Sequence, residues 1–310
     1  MKTSPHLLST FAPGWLALLA GLWSGCPGEY ASRPSDGRHD SLAEAGVGAP
    51  LLDGEVSTAP IYARDGSFDG PCAEARFPLT ETQETFAVPK NARYMHVKAW
   101  GSGGNGQGLC TPKVDAGMGG FSEAVFAVEP GGAVEAGTPL IVIVGKRGRS
   151  GSTGEEEMRF GFGNRGGGGL TGIFLGPERI TEKSADKALV IAGGGGGAAS
   201  VSCAPAGPGN HDKPEQAGGQ PTMKGGDGGE PGNGGAGGYR GGAGGGKGKS
   251  GRGGTGFVHP KALQQQVLFA DPGSSAPRKS DDPEYDGKAG KEEASGWIVI
   301  SFNCKRPNIR

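Results

Sequence analysis

The sequence predicts an all-β protein, an antiparallel sandwich of short strands into which glycine-rich segments are inserted. Short runs of alternating apolar and polar residues recur along the chain, as in half-buried strands. Only one segment has a helical pattern. Glycine supplies 65 of the 310 residues and hydrophobic residues only 34%, so backbone contacts are expected to hold together a large part of the fold.

The most regular glycine-rich stretch runs from Lys224 to Gly256. Of the 32 residues from Gly225 onward, 19 are glycine, and from Gly226 to Gly244 a glycine stands at every third position. A period of three belongs to an extended left-handed helix that makes no internal hydrogen bonds. Several such helices packed together can exchange backbone hydrogen bonds, because glycine lets backbones approach closely. We therefore predict packed polyglycine helices, with a flexible linker as the alternative.

The apolar runs give the positions of the strands. In residues 93–100, Met95, Val97 and Ala99 alternate with His96 and Lys98, so the two sets are expected on opposite faces. Sandwiches often pair their terminal strands, which makes the glycine-rich segments insertions between strands. The one helical candidate is residues 261–269. The other predicted strands are residues 80–88, 121–128, 140–144, 169–175, 188–192, 256–258 and 296–302.

The N-terminus has the pattern of an export signal over residues 1–26, with Lys2 ahead of a short apolar run. The run ends at Ser24-Gly25-Cys26, which resembles a bacterial lipobox with Cys26 as the lipid anchor, although Trp23 replaces the usual aliphatic residue. We predict a lipid-anchored protein of the bacterial cell envelope, in the outer membrane, with plain secretion as the alternative. Residues 27–60 are predicted to be a disordered tether. Residues 61–310 then form the folded domain, with the polyglycine insertion at about 193–256.

The mature chain has four further cysteines, which in an exported protein suggest two disulfides with three possible connectivities. Cys72 lies just before the first predicted strand and Cys304 just after the last, so paired terminal strands favour a Cys72–Cys304 bond. The remaining pair is Cys110 and Cys203, both in glycine-rich insertions. A zinc site is the weaker alternative, because there is no C-x-x-C pair.

Motifs for catalysis are weak in this sequence. Residues 101–106 fit G-x-G-x-x-G, and residues 243–250 read A-x-x-x-x-G-K-S, but a phosphate-binding loop needs a strand before it and a helix after it. There is no G-x-S-x-G elbow and no metal motif. We therefore expect no enzyme activity and no cofactor. The formal net charge of −1 gives no reason to expect nucleic acid as a partner.

A small group of residues in the glycine-rich stretch is a candidate binding surface. Exposed aromatic and basic side chains on a rigid support suit a protein or an anionic or polysaccharide partner. The alternative is that the basic residues are solvated and that the tyrosine packs over the glycines. The group consists of Tyr239, Arg240, Lys247, Lys249 and Arg252.

An ordered series of motifs resembles the glycine-rich domain of many bacterial surface proteins, which is related to the extracellular glycine-rich region of the anaplastic lymphoma and leukocyte receptor tyrosine kinases. The resemblance covers about residues 80–302. It implies a jelly-roll-like sandwich, similar to the tumour necrosis factor fold, with inserted polyglycine helices. It transfers no binding residue. The motifs are Phe86-Ala-Val-Pro89, Val97-Lys-Ala-Trp-Gly101, Gly119-Gly-Phe121, Val128-Glu-Pro-Gly131, Ile141-Val-Ile-Val-Gly145 and Ala188-Leu-Val-Ile-Ala-Gly-Gly194.

Together these patterns predict a non-enzymatic cell-surface lipoprotein whose sandwich presents a rigid glycine-rich surface for recognition or adhesion. Its partners would be a membrane, through the lipid, and a protein or polysaccharide at a cell surface. The alternatives are a structural component of the envelope or matrix without a specific ligand, and a nucleotide-dependent enzyme that uses Lys249.

Overall fold

In the computed structural model of the protein, the described residues are 61–62, 71–77, 83–106, 115–149, 161–163, 166–199, 205–210, 222–228, 234–246, 248–270 and 277–303. Contacts divide the chain into two units, and every described residue belongs to the second, Glu55–Arg310. The predicted signal segment and tether lie outside the described residues.

The described chain is all-β: it forms eleven strands and, apart from one 3-10 helix at Ser184–Lys187, no helix. The strands are β1 (Ile61–Tyr62), β2 (Pro71–Phe77), β3 (Glu84–Ala87), β4 (Tyr94–Trp100), β5 (Phe121–Ala127), β6 (Pro139–Ile143), β7 (Thr171–Leu175), β8 (Ala188–Ala192), β9 (Phe257–Val258), β10 (Gln264–Leu268) and β11 (Trp297–Asn303).

Two antiparallel sheets contain these strands. The first has the order β1-β2-β11-β4-β5-β10, and the second has the order β3-β6-β7-β8-β9. One hydrophobic cluster includes residues from the facing sides of both sheets, such as Val97 and Ile300 of the first and Val142 and Val190 of the second. The sheets therefore pack face to face around a shared core, as the alternating runs predict.

The predicted alternation in β4 is confirmed, since Met95, Val97 and Ala99 are fully buried while His96 and Lys98 are half-buried on the other face. The predicted strands at 121–128, 140–144, 169–175, 188–192, 256–258 and 296–302 all correspond to observed strands within a few residues. A turn at residues 129–132 precedes β6, with the Gly132 N–H donating to the Glu129 carbonyl at 3.1 Å.

The start of the domain differs from the prediction. A seven-residue strand, β2, precedes the predicted first strand, and it is β2 that pairs with the last strand, β11. The predicted first strand shrinks to β3 and pairs with β6 in the other sheet. The sequence Pro-Cys-Ala-Glu-Ala-Arg-Phe has little β-branched character, so β2 depends on its partner strand more than on its own propensity.

The predicted helix at 261–269 is wrong, because these residues form the edge strand β10, which pairs with β5 from Gln264 opposite Val125 to Leu268 opposite Phe121. Three successive glutamines are good helix formers. A nine-residue helix is nevertheless marginal on its own, whereas a strand beside β5 gains a ladder of hydrogen bonds.

The glycine-rich segments form a hydrogen-bonded array centred on residues 193–198, which directly follow β8. The N–H groups of these residues donate to three neighbouring segments. Residues that are three apart donate to the same segment. The acceptors are, in order from Gly193 to Ala198, Asn210 Oδ1 and the carbonyls of Gly237, Ser102, Gly207, Gly234 and Asn105.

The carbonyls of the same central segment accept hydrogen bonds from three further neighbours, again with a period of three. The donors are, in order from Gly193 to Gly197, the N–H groups of Gly120, Gly254, Gly168, Gly117 and Gly251, at 2.8–3.0 Å. Six segments therefore surround the central one. The array extends beyond the predicted insertion at 193–256, because residues 101–105, 117–120 and 166–169 belong to it.

The second sheet has its outer side covered. A second hydrophobic cluster joins Ile141, Ile143, Phe174 and Ile191 of that sheet to Leu170 and Met223 in the segments above it. The glycine-rich segments thus lie against a packed apolar support, whereas the outer side of the first sheet is only partly covered.

Candidate functional site

The predicted contact residue Tyr239 is half-buried and packs on the protein. Its ring stacks on Phe257 of β9, with ring centroids 4.1 Å apart and planes at 10°. Tyr239 also lies against the second hydrophobic cluster. One face of the ring is therefore occupied by Phe257, which makes Tyr239 part of the support of the array.

The basic residues of the predicted surface lie on two antiparallel glycine-rich segments. The Arg252 N–H donates to the Ala243 carbonyl at 2.9 Å, and the Thr255 N–H donates to the Arg240 carbonyl at 3.0 Å. Lys249 and Arg252 are exposed, whereas Arg240 is half-buried. Lys249 and Arg252 are three residues apart in the same segment, and the Lys249 N–H donates to the Gly246 carbonyl at 2.9 Å. Lys247 lies outside the described residues.

Most of the cysteine predictions concern residues outside the described ranges, namely Cys26, Cys110, Cys203 and Cys304. The backbone of Cys72 belongs to β2, so Cys72 lies within a strand and not ahead of the first one. In the pairing of β2 with β11, Pro71 is opposite Asn303. The disulfide pattern stays a prediction.

The glycine motifs have their amides engaged within the array. In residues 101–105 each N–H donates to a backbone carbonyl at 2.7–3.2 Å, and residues 193–198 donate as described above. A phosphate-binding loop instead directs its N–H groups at the ligand. In the segment that resembles a P-loop, Ser250 Oγ accepts a hydrogen bond from the Ala199 N–H at 2.8 Å. Strand β9 follows this segment with residues 251–256 between them, where the motif requires a helix.

A group of polar side chains that the sequence prediction missed lies on the outer face of the first sheet. His96 Nε2 of β4 is 2.8 Å from Glu123 Oε1 of the neighbouring strand β5. The hydrogen bond from His96, opposed by partial burial, lowers the pKa of Glu123 below its ordinary value of 4.5. Glu123 is therefore held as a carboxylate against its partner.

Lys98 lies beside this pair and makes ion pairs with two carboxylates of the segment that follows β10. Its Nζ is 2.9 Å from Asp282 Oδ2 and 2.8 Å from Glu284 Oε2. Burial opposes the charge on Lys98, but the hydrogen bonds with Asp282 and Glu284 outweigh it and raise the pKa of Lys98 above 10.5. Burial likewise opposes the charge on Asp282, yet its bond with Lys98 lowers its pKa.

The segment 277–296 covers one part of this outer face. Trp100 Nε1 donates to the Arg278 carbonyl at 3.2 Å, and Trp297 Nε1 donates to the Glu284 carbonyl at 3.0 Å. Trp100, Phe121 and Val299 form a third buried cluster there with Ala289. The Lys98 ion pairs mark the border of the cover, and His96 and Glu123, beyond that border, are partly exposed.

A groove of about 270 Å³ lies between β5 and β10, next to the His96–Glu123 pair. Side-chain alternation puts Glu123, Val125, Gln264 and Gln266 on the outer face with His96 and Lys98. The lining consists of residues 123–125 and 264–266. The sequence indicated that His96 and Lys98 share a face, but the register that brings Glu123 and the glutamines beside them is a long-range property.

Comparisons with known proteins return no family model and no curated protein that matches this chain. Within the described ranges, no cluster of three His, Cys, Asp or Glu residues has the arrangement of a metal site. The same part of the chain contains no helix with the length and hydrophobicity of a membrane span.

Proposed function

We propose that this protein is a non-enzymatic cell-surface lipoprotein, anchored through Cys26, that presents a rigid glycine-rich module for recognition or adhesion. The observation that carries the proposal is the array around residues 193–198, in which six neighbouring segments hydrogen-bond to one glycine segment. Each ordered residue costs about 1–2 kcal/mol of backbone entropy, and glycine is the most costly to order. Ordering an array of this size costs much conformational entropy, which would have no purpose if the segments served only as connections.

Rigidity is what such an array supplies to a binding surface. Groups fixed before binding lose less entropy when a partner arrives, so a pre-ordered surface binds more tightly than a flexible loop of the same composition. Lys249 and Arg252 project from this support, and the outer face of the first sheet offers a second set of polar groups. Both surfaces suit a partner outside the cell, a protein or a polysaccharide.

For the finer fold we propose a jelly-roll-like sandwich, similar to the tumour necrosis factor fold, with the array built of polyglycine II helices. The chain passes between the two sheets several times, and the strands near its two ends, β2 and β11, are neighbours in one sheet. Both features suit a jelly roll. The period of three in the hydrogen bonds suits polyglycine helices.

Three measurements on the full-length chain test the proposal. Amide hydrogen exchange should show strong protection in residues 193–198 and 234–254; random-coil exchange there would remove the rigid surface. In a bacterial host the protein should fractionate with membranes and Cys26→Ser should release it, while the purified chain should bind cells saturably. Binding that never saturates would contradict a recognition role.

A structural role in an envelope or matrix is the second candidate, and strand β10 favours it. Leu263, Val267 and Phe269, on or beside this edge strand, are 51%, 42% and 43% exposed, the large exposed hydrophobic side chains of the described chain. On the side away from β5, β10 pairs with no strand among the described residues. Exposed apolar edges tend to pair with other copies. This role predicts concentration-dependent self-association, which sedimentation velocity measures and Val267→Lys should abolish.

A further inference from the structure

The groove between β5 and β10 brings together hydrogen-bonding side chains from three adjacent strands. Gln266 is directly opposite Glu123 on β5, and Gln264 is opposite Val125. His96 on β4 is opposite Val125 and bonds to Glu123. Among the described residues, neither glutamine side chain has a hydrogen-bond partner. Two amide groups, each able to donate and accept, thus flank a carboxylate and an imidazole.

Glu123 and Lys98, the charged groups nearest this groove, already have internal partners. His96 bonds to Glu123, and Lys98 is held between Asp282 and Glu284 on the adjoining segment. A charged ligand would have to compete with these internal partners. The groups left to a ligand are the two neutral amides and the second oxygen of Glu123, which favour a neutral partner that both donates and accepts hydrogen bonds.

The floor of the groove is apolar at one point. Val125 lines the groove on the outer face and is 7% exposed, so it offers a small apolar area. The volume of about 270 Å³ is close to the lower bound of roughly 300 Å³ for ligand pockets. This size suits one small ring, with a C–H face against Val125 and hydroxyl groups toward the amides.

We propose that this groove binds one sugar ring of a cell-surface polysaccharide, through Gln264, Gln266 and Glu123, with His96 as the residue that positions the carboxylate. The inference rests on the proposed recognition function and names its ligand class. A polyhydroxylated ring matches the mixture of donors, acceptors and a small apolar floor. A protein strand added to β10 would use the backbone edge and the exposed Val267 on the opposite face instead.

The test uses the purified full-length chain and four probes, the methyl glycosides of glucose, galactose, mannose and N-acetylglucosamine. Saturation-transfer NMR should give a signal for at least one of them, and titration should give its Kd. Changing both Gln264 and Gln266 to alanine should weaken that Kd at least about fivefold, since two hydrogen bonds are lost. Lys183→Ala is the control, because Lys183 is an exposed residue on the segment before β8 and is not part of the groove lining, and it should leave the Kd unchanged.

Cell binding by the same proteins separates this inference from the proposed function. If the chain binds cells and the sugar competes, with both effects lost in the double variant, the proposal stands. If the chain binds cells but none of the four probes gives a signal, or the Lys183 control weakens binding as much as the double variant, the groove is not the site, although recognition survives. If neither cells nor sugars are bound, both ideas fail. Thermal melts of the variants should match the parent, since both glutamines are on the surface.

Discussion

Adding one methyl group at Gly195 should destabilise the protein strongly, because the central glycine segment has no room for a side chain. A Cβ built on Gly195 would collide with the backbone carbonyl of Gly117 on the adjacent segment. That carbonyl accepts the Gly104 N–H at 2.9 Å, and the Gly117 N–H donates to the Gly196 carbonyl at 3.0 Å. The two segments would have to separate, which lengthens the bond between Gly117 and Gly196 and displaces the carbonyl that accepts the Gly104 N–H.

The magnitude follows from these contacts. Two weakened hydrogen bonds cost about 1 kcal/mol each. Forcing an extra carbon into a packed region costs about 1–3 kcal/mol. Alanine restricts the unfolded chain and returns about 0.4–1 kcal/mol. Gly195→Ala should therefore lower the free energy of unfolding by about 3 kcal/mol, or Tm by about 6–12 °C in a domain of this size.

Gly246→Ala provides the matched control within the same glycine-rich region. A Cβ at Gly246 meets nothing within 4 Å, and the backbone there is outside the left-handed range. The same change of residue type should leave Tm unaltered or raise it by a few degrees at most. Differential scanning calorimetry gives both melting temperatures. Hydrogen exchange should show faster exchange at Gly104 and Gly117 in the Gly195 variant alone. Equal melting temperatures for the two variants would refute close packing of the array in solution.

Three further predictions concern other parts of the fold. Asn210 is buried with a φ of 57°, and its side chain hydrogen-bonds to Gly193, Phe121, Ser122 and Leu268. In denaturant titrations, Asn210→Ala should therefore lower the free energy of unfolding by about 3–5 kcal/mol. Asn210→Gly should lower it by about 1 kcal/mol less, because glycine tolerates a positive φ. Because the pKa of Glu123 is lowered in the folded protein, its stabilising effect is present above pH 4.5 and is lost as the pH falls through the folded pKa. Glu123→Gln should therefore lower the free energy of unfolding near neutral pH, and the difference from the parent should shrink in acid. A difference that stays constant with pH would contradict this. Peptide mapping under non-reducing conditions should find Cys72 bonded to Cys304, and a Cys72 peptide bonded elsewhere would rule out that pairing.

Only part of the polar site on the outer face of the first sheet could be predicted from the sequence. Alternation in β4 places His96 and Lys98 on one face, and the same alternation occurs in any solvated strand. Their partners come from far along the chain: Glu123 through the β4–β5 register, and Asp282 through the segment after β10. No local pattern encodes these pairings, since register depends on which strands meet.

The alternating strands and the glycine at every third position can be recognised in the amino-acid sequence alone. The strand repeat follows from local backbone geometry, two residues per pleat, so it does not depend on the rest of the fold. The glycine repeat is likewise a local pattern of the sequence. The other features depend on contacts between distant parts of the chain. These contacts made a strand of residues 264–268, which could form a helix, and gave β2 its place beside β11. The same contacts place residues 193–198 at the centre of the array, although the stretch after Lys224 has the more regular glycine pattern. Each backbone N–H or C=O group that bonds between segments needs a partner on another segment, and the packing of the whole domain determines which segment lies next to it.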